Sequence, residues 1–136
     1  MLHIAPQLPS HVEVLPNLDV GLELAPPGAP GFTRRPDLIV VRRTARERGG
    51  IIRAAEVVVV AEFVSPGSKR TDHVAKRADY ADAGIPHYWI VDLDDPISLV
   101  ACHLDGELGY IDGGAVTGVF DTTEPFPVRL DLGALG

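Results

Sequence analysis

The chain has 136 residues, 46% apolar and 23% charged, which fits one globular domain spanning 1–136 better than a disordered segment. No run approaches the roughly 20 apolar residues of a membrane helix, and the lone cysteine, Cys102, excludes a disulfide framework or a cysteine-rich zinc site and reads as a small buried hydrophobe. The net charge of −7 argues at first sight against a nucleic-acid partner, but eleven of the twelve basic residues fall between Arg34 and Arg77 beside five acids, a local balance of +6 against −13 elsewhere. That segregation fits either a solvated arginine-rich loop or a surface that faces phosphates.

In chain order, "MLHIAPQLPS" has no basic leader, apolar core and small-residue cleavage site, so a soluble, cytoplasmic protein is expected. Leu18, Val20, Leu22 and Leu24 alternate as in a half-buried strand, which breaks on the prolines and glycines that follow. Pro36 would cost a ladder hydrogen bond inside a strand, so the next strand is expected at 37–41 with Asp37 at its end. The basic "TARERGGIIRAA" reads as a link to "EVVVVAEFVS", whose β-branched run predicts a strand at 57–64, covered on both faces and neighbouring 37–41.

The period then changes. "TDHVAKRADYADAG" predicts a helix with Ser68 or Thr71 as N-cap, Gly84 as its stop and Pro86 just beyond. "HYWIVD" predicts another buried strand with Tyr88 and Trp89 in the core, and "PISLVACHL", "GELGYI", "GAVTGVF" and "FPVRLDL" predict shorter strands between Asp-Gly and Gly-Gly turns. Among the histidines, His73 reads as surface, and none of the others has metal-ligand spacing.

One residue breaks this pattern. Glu62 puts a carboxylate into the apolar strand, where it must be neutral or have a cation or donors to offset its desolvation. Two kinds of partner are available. Asp37 could share a metal ion with it from the adjacent strand, and the following helix carries Asp72, Lys76 and Tyr80 at i, i+4 and i+8, one stripe able to point at one site. Two carboxylates from neighbouring strands are hard oxygen ligands of the kind Mg²⁺ prefers, and a nearby lysine could orient water and offset charge on a phosphate. The alternative is a buried Glu62–Lys76 ion pair, with Asp37 merely opening a strand.

"RRPDLIVV" and "VVVVAEFVSPGSKRTDHVAKRADYADAGIPHYWIVD" together resemble the signature of the Uma family of putative restriction endonucleases, in the PD-(D/E)XK nuclease superfamily. The resemblance covers residues 18 to 132, with its specific core at 36 to 92. It implies a restriction-endonuclease-like α/β (α+β) fold, with a mixed central sheet flanked by helices and additional C-terminal strands. Asp37 and Glu62 match the metal-binding acids, and the carbonyl of Phe63 falls where the superfamily often adds a backbone ligand. The superfamily's usual lysine lies two residues after the acid, where this sequence has Val64; members like this family take it from the next helix, which matches Lys76. Asp72 and Tyr80 match supporting positions, although Asp72 equally suits a helix N-terminus on dipole grounds alone.

The activity so implied is Mg²⁺-dependent hydrolysis of phosphodiester bonds in nucleic acid, DNA in the first instance, by a homodimer leaving 5′-phosphates, with Mn²⁺ able to substitute. Arg34 and Arg35 are candidates for phosphate contact or, equally, ordinary solvent-exposed arginines. The family's longer N-terminal helical segment, with a further acid near the site, is expected to be shortened here, since the Pro-rich "APQLPSHVEVLP" stands where that helix should be, and Glu13 is not a convincing substitute for the acid. A non-catalytic binding or interaction module with the same fold is the rival reading.

Overall fold

The computed structural model describes residues 5–22, 33–64, 70–94, 96–106 and 109–135. In chain order the strands are β1 (Val12–Pro16), β2 (Val20–Gly21), β3 (Thr33–Arg34), β4 (Leu38–Arg42), β5 (Ile52–Arg53), β6 (Val57–Val64), β7 (His87–Asp92), β8 (Ser98–Leu104), β9 (Tyr110–Thr117), β10 (Val119–Thr122) and β11 (Val128–Asp131). The helices are α1 (Arg43–Arg48) and α2 (Arg70–Asp82). A six-stranded sheet runs β1-β4-β6-β7-β8-β9, a three-stranded sheet runs β3-β2-β5, and β10 pairs with β11.

The apolar run of β6 occupies the position its sequence requires, between β4 and β7, with Leu38 opposite Ala61 and Glu62 opposite Ile90. Only the β6–β7 pair of the large sheet is parallel, because α2 carries the chain back across one face before β7 begins. Successive residues of these strands feed two cores. One face presents Val59, Ala61, Trp89 and Val91 to Phe120 and Leu130 of the β10–β11 hairpin. There Trp89 and Phe120 meet edge to face at 5.4 Å, a favourable arrangement for two ring quadrupoles. The other face presents Val60 and Tyr88 to Tyr80 of α2, to Val20 and Ile52 of the small sheet, and to Ala45 of α1.

The C-terminal end of α2 is fixed with particular economy. Gly84 takes φ +80°, its N–H donates to the Ala81 carbonyl (3.0 Å), and the Ile85 N–H reaches back to the Tyr80 carbonyl (3.2 Å). This is a Schellman closure, with Ile85 and Tyr80 both fully buried as its apolar pair. The Tyr110 hydroxyl then donates to the Ile85 carbonyl at 2.6 Å, tying the helix end to β9.

The mixed α/β architecture, the pairing of 37–41 with 57–64, the helix and the core positions of Cys102, Tyr88 and Trp89 agree with the sequence reading. Other expectations change. The linker "TARERGGIIRAA" is structured: 43–48 coils into α1, and 52–53 forms β5, which runs parallel to β2. Within 18–22 only Val20–Gly21 is a strand, Leu18 is exposed, and Leu24 lies outside the described residues. The proline-flanked 12–16 forms edge strand β1 on β4. Thr71 lies inside α2 rather than capping it, and Ser68 is outside the described residues.

Val119 and Phe120 open β10, while residues 110–111 of "GELGYI" and 114–117 of "GAVTGVF" share one strand, β9, which continues through Gly113 and Gly114. It does so by a bulge. Val100 faces Ala115 and Cys102 faces Asp112, so Ala101 alone opposes both glycines, and the Gly114 N–H is taken by Asp112 Oδ1 at 2.8 Å. Among the described residues no helix is long and apolar enough to cross a membrane.

Gly84→Ala isolates the helix closure, since a Cβ there would meet nothing within 4 Å and only the left-handed φ is penalised. The expected cost is about 1–2 kcal/mol, read as a lower urea midpoint at unchanged m-value.

Candidate active site

Glu62 is the only charged residue among the buried residues described, at 3% exposure. It lies on the α2 side of the sheet, and α2 meets it with the predicted stripe. The Tyr80 hydroxyl donates to Oε1 at 2.9 Å, and the Lys76 ammonium donates to Oε2 at 3.1 Å. One helical turn separates the two donors, so each can take one oxygen of the same carboxylate. The Lys76 side chain is about one-fifth exposed, so the pair opens toward solvent on the lysine side.

Asp37 precedes β4 and is next in line to the Leu38–Ala61 pair, which brings it beside Glu62. Its Oδ2 accepts the Phe63 N–H at 2.7 Å, and no residue described bonds its Oδ1. The charge of Asp37 is felt at Glu62. Burial raises the Glu62 carboxyl above its ordinary value; the Tyr80 hydroxyl and Lys76 ammonium pull it back without cancelling that rise, and Asp37 adds to it. For Tyr80, burial and the adjacent carboxylate push the phenol far upward, against a small opposing pull from Arg34, so it remains a hydrogen-bond donor at any ordinary pH.

A family model, Uma2, whose description is "Putative restriction endonuclease", matches residues 3–116. The chain belongs to the Uma2 family. A search of curated proteins returns no match. The fold of this Uma2 chain is of the restriction-endonuclease-like class: a large mixed sheet, few helices and added C-terminal strands.

The expected site residues separate into two groups. Asp37, Glu62, Phe63, Lys76 and Tyr80 meet at one end of β4 and β6. Asp72 lies one turn before Lys76 in α2, and its side chain is outside the described residues. Arg34 and Arg35 diverge. Arg34 grips Asp79 of α2 through two nitrogens, at 2.8 and 2.6 Å, in a half-buried pair, whereas Arg35 is exposed and bonds Asp19 at 2.9 Å. The Arg34–Asp79 clamp beside Tyr80 is a positioning feature that the sequence hides, because its partners are 45 residues apart. Glu13 is remote from the acids: it sits opposite Val41, four residues along β4 from Asp37, and pairs with Arg43 and Arg46 of α1.

Tyr80→Phe keeps the ring and deletes only the donor to Glu62, so it is expected to cost roughly 1–3 kcal/mol, the penalty for an under-bonded buried acceptor. The cost should shrink in a Glu62→Leu background, and denaturation of the four chains yields the coupling. Equal costs in both backgrounds would assign the contribution of the hydroxyl to something other than its bond to Glu62.

Proposed function

We propose that this chain is a metal-dependent endonuclease that hydrolyses phosphodiester bonds in nucleic acid, with DNA as the substrate. The observation that carries the reading is Glu62, a carboxylate in an apolar strand with Asp37 beside it and Lys76 on one of its oxygens. The family description supports a nuclease hydrolase and a nucleic-acid substrate.

The donor set suits a hard cation. Asp37, Glu62 and the Phe63 carbonyl are all oxygen donors, and Asp37 has one carboxylate oxygen that the described residues leave unbonded. Two carboxylates and one carbonyl fill only part of a Mg²⁺ shell, so an ion held here would keep positions for water and phosphate. Asp37, Glu62 and Phe63 would hold Mg²⁺, or Mn²⁺ in its place; bound there, it would supply Lewis acidity and lower the pKa of a water molecule.

In this reading the Lys76 ammonium orients the attacking water and offsets the negative charge growing on the phosphate. The Tyr80 hydroxyl orients Glu62 and favours its ionised form, and Asp72 supports Lys76. Arg34 helps set the position of α2 through Asp79, while Arg35 is free to exchange its exposed partner for a phosphate oxygen. Homodimer formation and 5′-phosphate products belong to the same proposal.

The rival is a non-catalytic binding module, favoured by one observation: both oxygens of Glu62 already have protein donors. The two readings differ for Glu62→Ala. Breaking a structural ion pair should cost a few kcal/mol, whereas relieving a crowded acid site should cost little thermal stability in metal-free buffer. The direct test is calorimetric titration of Mn²⁺ into wild type and Glu62→Ala, with a short non-cleavable DNA present. The nuclease reading expects binding by wild type that the variant loses; absence of binding by both proteins supports the inert module.

A further inference from the structure

A concave feature lies on the α2 side of the sheet. It is a cleft of about 600 Å³ between the segment leaving β1 and the segment joining α1 to β5, a volume in the range of small-ligand sites. Leu15 and Ile52 line it deeply, while Leu18 and Ile51 stand at its mouth at 40% and 48% exposure. These are two of the five large apolar side chains that the described residues leave exposed.

The rim carries two arginines and one acid, Asp19. Arg35 and Arg46 line the cleft with side chains 63% and 71% exposed. The Arg35–Asp19 pair is exposed on both sides, so water and salt screen it and it yields readily to a better anion, whereas Arg46 meets Glu13, whose side chain is only 11% exposed. A guanidinium offers planar paired donors to phosphate, a geometry that a single lysine does not reproduce. Part of the lip is Gly49–Gly50; a Cβ at Gly49 would meet nothing within 4 Å, while Gly50 lies near the Arg48 guanidinium.

The cleft also adjoins the candidate active site. Arg35 is two residues from Asp37, and the Asn17 N–H, just before Leu18, donates to the Asp37 carbonyl at 3.2 Å. A ligand must therefore satisfy a pair of apolar jaws and the arginines of the rim while reaching toward a phosphodiester. An intact duplex offers the rim its phosphates and leaves the jaws empty. A nucleotide outside the base stack offers both, since its base has flat apolar faces that aliphatic walls can sandwich.

We propose that this cleft receives one unpaired nucleotide of the substrate strand, its base between Leu18 and Ile51 and its phosphate on Arg35 or Arg46. The inference rests on the nuclease reading above and narrows it: the preferred substrate is single-stranded or locally unpaired nucleic acid. A paired base enters only after it has been unstacked, which sets the discrimination.

The test uses the full chain in EDTA and a short oligonucleotide carrying one 2-aminopurine, presented single-stranded or in a duplex. The single strand is expected to bind at least about tenfold more tightly and to change its 2-aminopurine emission on binding. Ile51→Asp and Leu18→Asp alter exposed side chains and should abolish both the emission change and the strand preference. Arg35→Gln should weaken binding and lower the slope of log affinity against log salt by about 0.7, the value of one single-strand phosphate contact.

Equal affinity for the two forms, or an unchanged emission response in both aspartate variants, would overturn the cleft assignment. Cleavage with Mn²⁺ is measured separately. Metal-dependent cleavage without strand preference removes the cleft proposal and leaves the nuclease reading intact; base insertion without cleavage supports the cleft and removes the nuclease.

Discussion

A carboxylate inside a sheet has to be compensated, and much of the molecule around β6 follows from Glu62. Desolvation drives its proton affinity up, and the only remedy available on that face is a set of donors brought by the element packed there. α2 supplies two, at one turn's spacing. Their placement requires the helix to sit at one height and rotation, which the Schellman closure at Gly84, the Tyr110–Ile85 bond and the Arg34–Asp79 clamp each help to set. Three contacts with no acid of their own in the candidate metal site thus constrain a single carboxylate.

The sheet also divides the work between its faces. The side toward β10 and β11 is apolar packing around Trp89 and Phe120, with no charged residue among its buried members. The side toward α2 carries the acid, its donors and, farther along, the arginine-rimmed cleft. Burial on the first face can hold the sheet together while the second tolerates an expensive polar site, an arrangement expected where function strains a fold locally.

Much of this is legible in the sequence, for physical reasons that can be named. Residues 57–64 and 87–92 declare themselves because a β-branched run with no polar alternation needs cover on both faces. Lys76 and Tyr80 declare themselves because helical periodicity turns spacing into a shared direction. Asp37 is placed correctly beside Glu62, but its actual hydrogen bond to the Phe63 amide is invisible, since every residue other than proline carries the same N–H.

The misreadings have a common origin. In α1 only Ala45 is buried, so the six-residue helix leaves no apolar period to detect, and its arginines look like those of a loop. β2 and β5 are two residues each and gain their pairing from one another across some thirty positions, a distance over which propensity says nothing. Arg34 reads as a surface cation until the fold delivers Asp79 to it.

The bulge in β9 acts on the protein's social behaviour rather than its chemistry. β9 ends the large sheet, and an edge of regular backbone is a template on which another chain can continue the ladder. At Gly113 and Gly114 that template is out of step, and one of its amides is already spent on Asp112. A second sheet approaching from this side finds an interrupted row of donors, which hinders continuation of the ladder along that edge.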